Sequence, residues 1–424
     1  MNKDEEISIL QINTGIKDSS IPYRLMNALE KIGVPSKIIT MDSKVQDSRI
    51  SLVKKTLAYR FFRKIDFVLC NLEKKVFYPN SSQLPFSFYR VGVNLARNSL
   101  LQNADVLVIH WICGTFLSPY GLKKVLKLGK PTIIVCHDSW QFTGGCHVRL
   151  GCQRFVEGCG ECPQLQSGRK KDWSYRLVKL KEWAIKGRYN ICIVSPSHWM
   201  DENVRQSTLF KDYRHYVIPN PIDIAQYEVI DKSTVRNKLG IPTDEYVILF
   251  GAMNVATTPY KGLRQFIEAL DYFETEELDD SLIKVYAFGT SEGEERNNCR
   301  IKINYLGHKT SMQMIELYNC ADMYVMPSLD DNLPGTVMES LACEVPVVAF
   351  RTGGIPDMVI HKENGYLAEY DDIQDLARGM KWVMEHNENN ILGENGRRRI
   401  CSCFKDDIVA KRYEHLITKM LNER

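Results

Sequence analysis

Long hydrophobic runs are missing from this sequence. Its most apolar stretch, near Val106 to Leu117, contains His110 and is shorter than the ~18–20 residues a membrane-spanning helix needs. The first residues, Met1-Asn2-Lys3-Asp4-Glu5-Glu6, include acids and no apolar core, so a secretory signal is not expected there. Without export, the 13 cysteines are expected in a reducing cytosol. Most are expected to be plain buried thiols, as in the apolar runs around Cys136, Cys192 and Cys320. There is no internal repeat, no low-complexity tract and no segment resembling a nucleic-acid-binding module, so nucleic acid is not an expected partner. At 44% apolar and 25% charged, the chain also lacks the composition of a disordered protein, a collagen-like fibre or a small disulfide scaffold.

What is present is enough chain for about two to four domains, at ~100–200 residues each. The net charge of +3 hides an asymmetry. Residues 1–220 hold 33 basic and 18 acidic side chains, and residues 221–424 hold 22 and 34, giving +15 and −12. Such a split suggests that one half meets something acidic. Both halves alternate short apolar, β-branched runs with stretches of helical period. The strands expected are Ile7–Ile12, Val106–His110, Thr132–Cys136, Ile191–Pro196 and Tyr216–Pro219, then Tyr246–Gly251, Ile283–Gly289, Ile303–Leu306, Met323–Pro327 and Val345–Phe350. Helices are expected between them, at Tyr23–Ile32, Gly262–Phe273, Ser311–Cys320 and Gly335–Cys343 among others. This alternation predicts an α/β protein of two doubly wound parallel-sheet domains. The two prolines of Ile218-Pro219-Asn220-Pro221-Ile222-Asp223 mark the boundary, giving domains over 1–218 and 219–404.

Ligands of open parallel sheets bind where the strands end, and the second half is rich there. Strand Met323–Pro327 runs into Ser328-Leu329-Asp330-Asp331-Asn332-Leu333-Pro334-Gly335-Thr336-Val337-Met338-Glu339. Pro334 suits a first helical turn, and the free N–H groups beside Gly335 make an anion site. Asp331 and Glu339 place a loop acid and a helix acid where both could face one pocket, and ionised carboxylates are strong acceptors for sugar hydroxyls. Strand Val345–Phe350 leads to Thr352-Gly353-Gly354. The first strand of this half ends at Gly251-Ala252-Met253-Asn254, and Tyr260-Lys261-Gly262 opens the next helix, where a lysine can meet phosphate.

The run Met326 to Glu339, with Pro346-Val347-Val348-Ala349, Thr352-Gly353-Gly354, Lys261-Gly262 and the Ile218–Asp223 linker, resembles the signature of retaining glycosyltransferases of family 4. The segment His137-Asp138-Ser139-Trp140-Gln141-Phe142-Thr143-Gly144-Gly145-Cys146 resembles a bacterial subgroup that builds capsule, exopolysaccharide or O-antigen sugars. The resemblance spans about residues 7–420. It implies the GT-B fold, with two Rossmann-like domains facing a cleft and a C-terminal helix, near 405–424, packed back on the first. It implies a UDP- or GDP-sugar donor on the second domain and a lipid-linked or oligosaccharide acceptor on the first. By matching position, Lys261 would contact the donor diphosphate, Asp331 the hexose and Glu339 the ribose. Leu333, Pro334, Gly335 and Thr336 would lie beside them, with Gly251, Asn254, Gly289 and Asp330 completing the donor set. His137 would face the reacting sugar and join Lys261 and Asp331 as the catalytic group. Ser19, Ser20, His110, Trp111 and Asp138 would lie on the acceptor side. No catalytic metal is implied. Three departures stand out: the first acid is Asp331 rather than Glu, Tyr260 precedes Lys261 where arginine is common, and Ser19-Ser20 replaces a frequent Gly-Gly. The last leaves open a non-catalytic relative that binds nucleotide sugar or membrane. Another GT-B enzyme, such as a nucleotide-sugar epimerase, is the other alternative.

Two further features stand apart. Cys146, Cys152, Cys159 and Cys162 are spaced C-x5-C-x6-C-x2-C, which could close a structural zinc site, remain reduced or form disulfides. Residues 49–78 hold eight basic and two acidic side chains, interleaved with Phe61, Phe62, Phe67, Phe77 and Tyr78. That pattern suits either an anionic membrane surface or a solvated helix whose aromatics pack on the domain. Together these features predict a cytoplasmic protein, peripheral on the inner face of the membrane.

Overall fold

The computed structural model describes residues 7–88, 90–273, 282–291 and 301–423; the opening segment Met1 to Glu6 lies outside them. The chain divides into two units, Met1–Pro221 with Asp406–Arg424, and Ile222–Lys405.

Unit 1 is built on strands β1 (Ile9–Ile12), β3 (Ser36–Thr40), β5 (Ile50–Leu52), β6 (Val106–Ile109), β7 (Thr132–Val135), β8 (Ile191–Ser195) and β9 (Arg214–Val217), with β2 (Gly15–Ile16) and β4 (Asp42–Ser43) paired apart. The main sheet has the order β5-β3-β1-β6-β7-β8-β9 and is parallel throughout. Every residue of β1, β6, β7 and β8 is buried, the signature of a sheet covered on both faces. The covering helices are α1 (Ile21–Lys31), α2 (Leu57–Phe77), α3 (Ser99–Asn103), α4 (Pro119–Leu126), α5 (Trp173–Ile185) and α6 (His198–Gln206).

Unit 2 repeats the plan. Strands β10 (Tyr246–Gly251), β11 (Ile283–Phe288), β12 (Ile303–Tyr305), β13 (Met323–Met326), β14 (Val347–Phe350) and β15 (Gly365–Ala368) form a parallel sheet ordered β12-β11-β10-β13-β14-β15. Its helices are α7 (Lys232–Leu239), α8 (Leu263–Phe273), α9 (Ser311–Cys320), α10 (Gly335–Ala342), α11 (Ile373–His386) and α12 (Ile391–Cys403). The last helix, α13 (Asp406–Asn422), belongs to unit 1. Val409, Tyr413, Leu416, Ile417 and Met420 share one core with Ile9, Leu25, Leu29 and Val106, and Lys31 Nζ lies 2.6 Å from the Asp406 carboxylate.

The apolar strands occur where the residue pattern puts them, within a residue or two. Strands β3, β5 and β15 were not in that pattern. Their sequences, SKIIT, ISL and GYLA, are short or begin with polar or small residues, so they carry little periodic signal. In each sheet the strand order reverses beside the first strand, between β1 and β6 and between β10 and β13. These switch points are where open α/β sheets hold ligands.

Candidate functional site

In unit 1, His110 follows β6 and His137 follows β7 by one residue. Their rings stack 5.1 Å apart at 16°, with His110 Nδ1 2.8 Å from His137 Nε2. Behind them His110 Nε2 lies 2.9 Å from Gln11 Oε1, and the Gln11 amide donates to Ser36 Oγ at 3.2 Å. An amide inside β1 therefore anchors an imidazole pair, His110 buried and His137 half-buried. Burial holds His137 down at about 4 and drives His110 well below its ordinary value, with the neighbouring His137 adding to the latter shift. Both rings are neutral at physiological pH.

Asp138 is committed locally. One oxygen accepts from Trp140 N–H at 2.8 Å, and the other lies 2.6 Å from His147 Nδ1, whose Nε2 is 2.8 Å from Ser87 Oγ. The Trp111 ring sits 5.6 Å from His147, and Trp111 N–H donates to Asn13 Oδ1 at 3.0 Å. Ser20 immediately precedes α1 and its hydroxyl accepts from Lys17 N–H at 2.9 Å, while Ser19 N–H donates to Asp18 at 2.8 Å. Gln11 and His147 escaped the sequence reading. A glutamine in the apolar run Ile-Leu-Gln-Ile was the available signal for the first; the second had only its place beside Cys146.

In unit 2 three loops are stitched together at the switch point. Leu329 N–H donates to the Tyr260 carbonyl at 2.8 Å, and Gly354 N–H to the Asp331 carbonyl at 3.2 Å. Gly353 has φ +57°, and a Cβ there would collide with the Asp331 carbonyl oxygen, so only glycine fits without strain. The stitching brings the Lys261 ammonium directly onto the Asp331 carboxylate, with side chains 20% and 14% exposed. Asp330 is buried beside it. Helix α10 begins after Pro334 with no side-chain cap, so its first N–H groups retain the partial positive charge of a helix start. At Gly335 the nearest atom to an added Cβ is Glu339 Oε1, at 3.8 Å; packing does not demand glycine there. Glu339 accepts from the Tyr318 hydroxyl at 3.3 Å. The Tyr324 hydroxyl donates to the Gly251 carbonyl at 2.7 Å and stands 2.9 Å from Thr336 Oγ1. Leu333 is buried. Asn254, at φ +55°, starts a short turn after β10, and Gly251 and Gly289 are pressed against the backbone of Phe288 and Ala252 respectively. The structure therefore groups Lys261, Asp330, Asp331 and the α10 start, and gives Gly251 and Gly289 a packing reason. Tyr318 and Tyr324 were not anticipated: they lie in the expected helix Ser311–Cys320 and the expected strand Met323–Pro327, where the sequence does not show which partner a hydroxyl meets.

The four clustered cysteines are free thiols. Cys146 interacts electrostatically with Cys152, Cys159 and Cys162, and burial pushes Cys146 and Cys159 up to about 12. Gly158, Cys159, Gly160 and Glu161 are four successive left-handed residues. Among the described residues no group of three or more His, Cys, Asp or Glu side chains is arranged to hold a metal ion.

Residues 231–399 match the family described as glycosyl transferases group 1. That stretch is similar to glycosyltransferase group 1 domains. The chain is 24% identical over 296 residues, 67% of its length and 74% of the relative's, to the UDP-Gal:alpha-D-GlcNAc-diphosphoundecaprenol alpha-1,3-galactosyltransferase of Escherichia coli. Among solved structures it is similar to sucrose-phosphate synthase from Thermosynechococcus elongatus, with TM-score 0.65, 14% identity and 99% and 100% of the two chains covered. It is also similar to HepE from Anabaena in complex with UDP-glucose, with TM-score 0.62, 13% identity and 97% and 100% covered. The two doubly wound units are those of the GT-B fold. Within the matched stretch lie Lys261, Asp330, Asp331 and Glu339.

Proposed function

We propose that the chain is a retaining glycosyltransferase of family 4, moving a sugar from a UDP- or GDP-sugar to a lipid-linked glycan acceptor at the inner face of the cytoplasmic membrane, in the biosynthesis of a cell-surface polysaccharide. The observation that carries this reading is the Lys261–Asp331 pair beside the uncapped start of α10, inside the stretch similar to glycosyltransferase group 1 domains. The named relative that uses a diphosphoundecaprenol-linked acceptor supports the acceptor class. In this reading the acceptor oxygen replaces the nucleotide diphosphate at the anomeric carbon, on the same face. The leaving diphosphate gathers negative charge, and Lys261 with the first N–H groups of α10 stabilises it through preorganised electrostatics. Asp331, which holds the Lys261 ammonium in place, turns to the hexose, and Glu339, oriented by Tyr318, to the ribose. His137, kept neutral, offers a polar edge to the sugar. No step needs a divalent metal.

The test is nucleotide release from a panel of UDP-, GDP- and ADP-sugars with a membrane lipid extract, without added magnesium or manganese. Release is expected; Lys261→Ala is expected to lower it by about 100-fold or more, the scale of losing one transition-state donor, and Glu339→Ala to weaken donor binding and so raise KM. Binding of a nucleotide sugar without turnover on any acceptor would overturn the catalytic reading in favour of a scaffold. Among the described residues, Cys146, Cys152, Cys159 and Cys162 are not arranged around a metal position, and elemental analysis of protein never exposed to chelator distinguishes a reduced thiol cluster, with clearly substoichiometric zinc, from a structural site filled at about one zinc per chain.

A further inference from the structure

Helix α2 is the least accountable element of the molecule. Thr56 caps its start, accepting from Tyr59 N–H at 3.2 Å, and of its 21 residues only Tyr59 and Asp66 are buried. At ~100° per residue its side chains fall on three faces. The inner face carries Tyr59, Asp66, Cys70 and Glu73. Tyr59 OH donates to the Thr115 carbonyl at 3.0 Å. Arg90 reaches up from below, its guanidinium 2.9 Å from Asp66 and 2.8 Å from Glu73, with its other side 5.0 Å from the Trp173 ring centroid. Both acids of the helix are thus drawn inward and paired with one arginine.

The other two faces look outward. One is apolar and includes Phe61, Phe62, Ile65, Leu69, Leu72 and Val76, with Phe61 61% and Val76 66% exposed. The other carries Arg60, Arg63, Lys64, Lys74 and Lys75, none of which is in an ion pair among the described residues. Tyr59 and Tyr78 pack on the domain, as one reading of the sequence allowed, whereas Phe61, Phe62 and Phe67 do not. A contiguous apolar face of this extent is rare on a monomer without a partner.

We infer that α2 lies in the plane of a bilayer rich in anionic lipid, its apolar face sunk to the acyl boundary and its cations among the headgroups. Charge complementarity selects this occupant. A second copy docked through the apolar face would leave the five cations of each helix unmet, because both acids of the helix are turned inward to Arg90. The helix does not span: among the described residues no helix is long and apolar enough to cross a membrane. An apolar face flanked by a basic one is the form of an interfacial helix, and each cation near an anionic surface adds to the attraction. The inference rests on the proposed lipid-linked acceptor for its purpose only; the geometry stands without it.

The test uses the full chain with vesicles of equimolar phosphatidylglycerol and phosphatidylcholine, and with phosphatidylcholine alone, and no donor sugar. Co-sedimentation is expected with the anionic vesicles at about 0.05 M salt, weakening by about tenfold or more at about 0.5 M and on neutral vesicles. The double variant Phe61→Ser/Leu72→Ser and, separately, Lys64→Glu/Lys74→Glu should each weaken it by about tenfold or more. All four positions are exposed, and circular dichroism verifies the fold of each variant. Absence of binding to anionic vesicles at low salt, equal binding to neutral ones, or wild-type binding by both variants would overturn the inference. So would light scattering that shows a dimer broken by Phe61→Ser/Leu72→Ser. Nucleotide release onto a water-soluble acceptor analogue should be unchanged in that variant, which separates a failure of membrane docking from a failure of the transferase reading.

Discussion

At the strand ends of unit 1 the two stacked imidazoles are neutral and tied to each other, whereas in unit 2 an ammonium–carboxylate pair stands beside an open helix start. The Gln11–His110–His137 chain is complete in itself: every bond within it joins protein to protein. Such a network fixes ring orientation and resists protonation, so it suits recognition of hydroxyl groups by shape and hydrogen bonding. The Lys261–Asp331 pair is also satisfied, but by an interaction that an incoming anion can compete with. One unit is rigid by closure, the other poised by charge.

That contrast is most exposed to failure at Lys261. Lys261→Met should abolish nearly all turnover, by about 100-fold or more, and lower melting stability by only about 1–3 kcal/mol, between the values for exposed and buried pairs. His137→Ala should cost less turnover. Equal losses would mean that the two units share the electrostatic task.

Two glycines of unit 2 sharpen the comparison within one loop system. Gly353→Ala meets both a left-handed backbone and the Asp331 carbonyl and should destabilise the protein by about 1–3 kcal/mol while displacing Asp331. Gly335→Ala meets only an ordinary contact with Glu339 Oε1 at 3.8 Å and should leave thermal stability near wild type. Any loss of nucleotide-sugar affinity in that variant, measured by calorimetry, then reports ligand approach to the α10 start.

The smallest effect is expected from pH. Unfolded, the His110 and His137 imidazoles take up protons near their ordinary value of 6.5; folded, His137 does so only at about 4, and His110 only well below its ordinary value. The stability tied to the neutral rings is whole above pH 6.5 and is lost progressively as pH falls toward 4. The melting temperature should drop by several degrees over that window, and less steeply in His110→Asn. An unchanged slope would show that the pair is not what responds.

Much of this architecture was legible in the residues. Fully buried parallel strands such as Val-Leu-Val-Ile and Thr-Ile-Ile-Val announce themselves, and Asp331, Pro334 and Glu339 follow one of them at readable spacing. What escaped was held by long-range pairing. Strand β5, Ile-Ser-Leu, is a strand because β3 lies beside it. Gln11 matters because β6 delivers His110 to it, and Tyr318 because α9 brings its hydroxyl to Glu339. The basic stretch at 49–78 showed its charge in sequence, but Arg90, which turns both acids of α2 inward, lies outside it.

The return of α13 to unit 1 has a consequence for biosynthesis. The surface formed by Ile9, Leu25 and Val106 receives Val409, Tyr413 and Met420 only after residues 222–405 have been made. At ~5–20 residues per second this is a delay of roughly ten to forty seconds. Throughout it the nascent chain displays an unfilled apolar seam beside the ribosome, and the second unit is free to fold before the first is finished. A chaperone that shields such a seam would find its substrate there, and truncating the last helix would make that transient exposure permanent.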